Sequence, residues 1–105
     1  MDDLENSAFP QGLSDPDLLE LYPSALARMV QDIEVMIDLL RDKDFQRASF
    51  VAYKLHGICA LFFIDDFSDA LKKIIDHLER KSSLANVLLE DLGAKARLKL
   101  QTYQG

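Results

Sequence analysis

A single cysteine, Cys59, excludes an intramolecular disulfide in this 105-residue chain and makes a reducing, cytoplasmic setting the default expectation. Tryptophan is absent. The four glycines, Gly12, Gly57, Gly93 and Gly105, are too few and too scattered to build a phosphate-cradling loop. Basic residues number 12 against 18 acidic ones, and the formal charge of −6 argues against a footprint for nucleic acid or anionic lipid. No apolar run approaches the ~20 residues of a membrane-spanning helix. The opening residues, Met1-Asp2-Asp3-Leu4-Glu5, have neither the basic start nor the apolar run of a signal peptide. There is no internal repeat and no strand-like alternation.

What remains is a soluble globular composition, 49% hydrophobic and 29% charged, in a chain long enough for one modest core. Residues 1–13, interrupted by Pro10 and Gly12, read as a flexible leader, and residues 14–105 as one helical domain. Ser14 is placed to cap a short helix through Leu18, Leu19 and Leu21, and Pro23 suits the first turn of a longer one. Leu26, Met29, Ile33, Met36 and Leu40 then recur at spacings of three and four, widened by Val30 and Ile37.

After the polar connection Arg41–Asp44, another helix starts near Phe45 and carries Ala48, Ala52, Leu55, Cys59 and Phe62 as its apolar stripe. Asp65 and Asp66 mark the next break, with Asp66 as cap. Phe67, Leu71, Ile74 and Leu78 form the following stripe, and Glu79-Arg80-Lys81 reads as a helix terminus. The last helix, beginning after Ser83, uses Leu84, Leu88 or Leu89, Leu92, Ala96, Leu100 and Tyr103, with Gly93 weakening its middle. The expected fold is an antiparallel up-down-up-down four-helix bundle with a short additional N-terminal helix.

One segment stands apart. Tyr53 and His56, three residues apart, share a helix face about 60° from one another, with Ser49, Gly57, Ala60 and Phe63 or Ile64 continuing that side. A mid-helix glycine such as Gly57 costs about 1 kcal/mol against alanine, so its presence points to close approach by another molecule. His56 and Cys59 have the spacing of half a metal site. Cys59 falls on the apolar stripe, however, and no second pair accompanies it, so neither metal nor cofactor is expected. His77 reads as a solvated helix residue.

The run Ala52-Tyr53-Lys54-Leu55-His56-Gly57 resembles the A-H-x-L-K-G signature of histidine-containing phosphotransfer (HPt) domains. Tyr53 stands where that family carries its phosphorylated histidine, and His56 where it commonly has lysine. Phe63 stands where a small residue is common. The resemblance, spanning about residues 16–103, implies a helical bundle that docks a response-regulator receiver domain or a sensor histidine kinase. Tyrosine, with an ordinary pKa of about 10, is a poor relay nucleophile, and its phosphate ester is too stable for return to an aspartate. The implied activity is therefore non-catalytic: a protein that binds a phosphorelay component through Ser49, Tyr53, His56, Gly57, Ala60 and Phe63. Two alternatives stand beside it. One is phosphotransfer through His56, which sits about 4.5 Å along the axis from the family's position. The other is a helical interaction module of unrelated ancestry, including a homodimer.

Overall fold

The computed structural model describes residues 10 and 12–104; most of the leader expected over residues 1–13 lies outside them. Among the described residues there are four helices and no strand: α1 (Pro16–Arg41), α2 (Phe45–Leu61), α3 (Asp65–Glu79) and α4 (Leu84–Gln104). Their backbones approach along four edges, α1–α2, α2–α3, α3–α4 and α4–α1, so the helices form a closed ring around one core. A four-helix bundle is the simplest way for four amphipathic stripes to bury one another.

The stripes are those the periodicity marks. Leu26, Met29, Ile33 and Met36 of α1 are buried, as are Ala48, Ala52, Leu55 and Cys59 of α2. Phe67, Leu71, Ile74 and Leu78 of α3 join Leu89, Leu92 and Ala96 of α4 in the same core. Leu84 departs from this pattern: at the start of α4 it is 55% exposed, and Ala85 takes the buried place. Gly93 is buried, and a β-carbon there would come within 3.2 Å of Ile33 Cγ2. The glycine therefore lets α4 sit close against α1.

The separate short helix expected before Pro23 is instead the opening of α1. Pro23 lies inside a continuous helix, and Asp15 rather than Ser14 caps it, accepting a 2.9 Å hydrogen bond from the Asp17 N–H. An interior proline costs about 3 kcal/mol. Running the helix through it, however, extends one stripe at steps of three and four: Leu19, Tyr22, Leu26, Met29, Ile33, Met36, Leu40. Tyr22 at the break point is fully buried, with its ring 6.2 Å from Phe62 and 5.8 Å from Tyr103. Fully burying a large side chain is worth about 1.5–3 kcal/mol, so the buried Tyr22, with a smaller share from the half-buried Leu19, offsets most of the proline's cost.

Helices α1, α2 and α3 end in the same way. Lys43, Phe63 and Lys81 each adopt left-handed backbone, with φ of 57°, 58° and 56°. The next residue in each case, Asp44, Ile64 or Ser82, donates its N–H back to Leu39, Cys59 or His77. These are Schellman caps built without the glycine that usually occupies the left-handed position. At the second of them Ile64, 2% exposed, is itself the N-cap of α3. Asp66 therefore does not cap α3 but lies in its first turn beside Asp65, where carboxylates meet the positive end of the helix dipole.

Candidate functional site

Helix α2 is apolar on both sides, as α4 is through its exposed Leu84, Val87 and Leu98, but its exposed groups are mainly aromatic. Its inner stripe of Ala48, Ala52, Leu55 and Cys59 is entirely buried. Its outer side carries Phe50, 66% exposed, Tyr53, 53% exposed, and Leu61, 55% exposed, with Phe63 exposed just past its end. Gly57 and Ala60 are exposed between them. Phe50, Gly57 and Leu61, at steps of seven and four, fall in one line along the helix. Lys54 lies beside that line with its Nζ 5.6 Å from the centre of the Phe50 ring, a cation–π distance.

Of the six residues singled out by sequence, the structure brings Tyr53, Gly57, Ala60 and Phe63 to solvent. Ser49 and His56 are half-buried at the flank. The His56 Nε2 atom is buried and has no hydrogen-bond partner among the described residues. His77 is half-buried rather than solvated, and its Nδ1 is likewise buried without a partner. Phe50, Lys54, Leu61 and Glu79 are the members that the motif did not point to. Phe50 and Leu61 could have been found by asking which apolar residues of α2 fall off its buried stripe. Glu79 carries no such signal, because it reaches the face from another helix.

That reach is the main polar feature of the face. The Tyr53 hydroxyl donates a 2.6 Å hydrogen bond to Glu79 Oε2 in the last turn of α3. The bond, together with the adjacent negative charge, raises the Tyr53 pKa above that of free tyrosine, because ionising the phenol would lose a donor and set two anions side by side. Tyr53 is held neutral and oriented. Cys59, on the opposite side of the helix, has its thiol pushed up to about 12, first by burial and then by Asp66. A thiol so placed is a core group with little thiolate at neutral pH.

Gly57 is the residue whose own fold gives it no reason to be glycine. A β-carbon added there meets nothing within 4 Å among the described residues, in contrast to Gly12, where it would reach the Phe63 ring, and Gly93, where it would reach Ile33. Among the described residues no group of three or more His, Cys, Asp or Glu side chains is arranged to hold a metal ion, and no helix is long and apolar enough to cross a membrane. No known protein family, curated protein or solved structure matches this chain.

Proposed function

We propose that this chain is a non-catalytic, HPt-like docking protein. Its partner in this reading is a response-regulator receiver domain or a sensor histidine kinase, bound on the outer face of α2, and the outcome is modulation of a phosphorelay without phosphoryl transfer. The observation that carries the reading is the exposed Gly57. It costs the helix about 1 kcal/mol, a β-carbon added to it would meet no atom of the described residues within 4 Å, and it lies between Tyr53 and Leu61. A gap in a line of exposed aromatic and aliphatic groups suits a partner's backbone at close range.

The short connections between consecutive helices, Asp42–Asp44, Phe62–Ile64 and Arg80–Ser83, support an antiparallel up-down-up-down order. The lone, buried Cys59 suits a reducing cytoplasm. Transfer through His56 is disfavoured, since a nucleophilic nitrogen has to meet its phosphoryl donor in line and the Nε2 atom is closed off from solvent.

The test is titration of the protein with isolated receiver and kinase domains, followed by calorimetry and by amide chemical shifts. Binding that shifts α2 amides and is weakened by Tyr53→Ala and Gly57→Gln supports the reading. Acid-labile phosphate on the protein, lost in His56→Ala, would overturn it in favour of transfer. Self-association through Phe50 and Tyr53 with no binding to either domain class would overturn it in favour of an unrelated interaction module.

A further inference from the structure

A cleft separate from the α2 face lies at the end of the bundle where α1 and α3 finish and α2 and α4 begin. It has a volume of about 440 Å³ and is lined by Leu40, Arg41, Lys43 and Phe45 from one connection and by Lys81, Ser82, Ser83 and Asn86 from the other. Its lining holds three cationic side chains and no carboxylate. This is unusual for a chain of net charge −6. The four other clefts described on this molecule each include at least one Asp or Glu.

The cations are not equally committed. Arg41 Nη1 is 3.0 Å from Asp38 Oδ1, so part of its charge is answered. Lys43 and Lys81 have no ion-pair partner among the described residues. The nearby Asp44 carboxylate accepts from the Arg47 N–H at 3.1 Å and also faces the Arg47 guanidinium at 3.5 Å. Ser82 Oγ accepts from the Leu84 N–H at 3.2 Å, which leaves its hydroxyl proton to donate elsewhere. The opening turn of the 21-residue α4 adds the positive end of a helix dipole. Leu40 and Phe45 supply an apolar wall. The volume lies within the range of small-molecule pockets, about 300–1,000 Å³.

We infer that this cleft binds a small phosphomonoester: the phosphate between Lys43 and Lys81 and the hydroxyls of Ser82 and Ser83, the organic part against Leu40 and Phe45. A bare anion would use the cations but leave the apolar wall unfilled, and a neutral apolar molecule would leave two lysines unanswered. The site is independent of the α2 docking face and does not rest on any reading of that face.

The backbone offers a clean test. Lys43 and Lys81 occupy left-handed positions where glycine carries no steric penalty, so Lys43→Gly and Lys81→Gly preserve or improve folding while removing the charges. Phenyl phosphate, inorganic phosphate and benzyl alcohol serve as probes, followed by amide chemical shifts of the full chain. The expected result is saturable shifts at residues 43–45 and 81–86 with phenyl phosphate and weaker binding of inorganic phosphate. Each lysine variant should bind phenyl phosphate about tenfold more weakly while melting at or above the wild-type temperature. Shifts that fail to saturate would overturn the inference. So would shifts that benzyl alcohol reproduces, or affinity unchanged in the Lys43→Gly, Lys81→Gly double variant.

Discussion

Tyr53 and Glu79 are 26 positions apart in sequence and joined by a 2.6 Å hydrogen bond in which the phenol donates and the carboxylate accepts. The bond ties the outer face of α2 to the last turn of α3. It also defines what a partner would meet at the motif's second position: a neutral phenol with a carboxylate behind it, where a phosphorelay histidine would present a nucleophilic nitrogen. Both groups are at the surface, so the bond acts chiefly on orientation and contributes little to stability.

The raised Tyr53 pKa follows from that partner. Replacing Glu79 by Gln removes the charge, and ultraviolet titration of the phenol should show one tyrosine moving down toward the ordinary value of about 10. Tyr53→Phe should abolish that transition without changing helix content. A titration curve indifferent to Glu79→Gln would mean that the bond does not persist in solution.

Glycines at 57 and 93 should respond oppositely to the same substitution. Gly57→Ala places a methyl group in open space and should stabilise the protein by about 1 kcal/mol, read as a higher denaturant midpoint. Gly93→Ala sets a β-carbon 3.2 Å from the buried Ile33, and the strain of overpacking, about 1–3 kcal/mol, should cancel or exceed the helix-propensity gain. Equal stabilisation at both positions would remove the argument that Gly57 alone is kept for something outside the chain.

Pro23 offers a check on the course of α1. Pro23→Ala restores the hydrogen bond that Leu19 C=O lacks within a continuous helix, and should stabilise by about 1–3 kcal/mol with a small rise in helical circular dichroism. If Pro23 instead began a new helix, as its sequence position invites, alanine there would be neutral or unfavourable.

Alkaline pH should unfold the protein through two core groups. Burial pushes Tyr22 and Cys59 each up to about 12, from ordinary values of 10.0 and 9.0. A raised folded pKa means that the unfolded chain loses its proton first. The stability these groups confer is therefore complete below about pH 9 and is lost as pH rises toward 12. Melting temperatures measured from pH 8 to 12 should fall, and Tyr22→Phe should flatten part of the slope. A flat profile in the wild type would contradict the burial of both groups.

The periodicity of this chain determined most of its architecture. Steps of three and four marked the stripes from Leu26 to Met36 and from Phe67 to Leu78, because an amphipathic helix reports its buried face through local spacing alone. Gly57 could likewise be recognised as anomalous from the sequence, since the cost of a mid-helix glycine is local. The course of the chain through Pro23 could not be read this way. Local propensity favours a break there, and only tertiary packing, chiefly of Tyr22 against Phe62 and Tyr103, offsets it. Nor could the sequence place Glu79 behind Tyr53, close off the His56 Nε2 atom, or gather Lys43 and Lys81 around one cleft. Each of these depends on which helix lies beside which, and at what height along it. That is settled by the sum of many side-chain contacts across the core and not by any one segment.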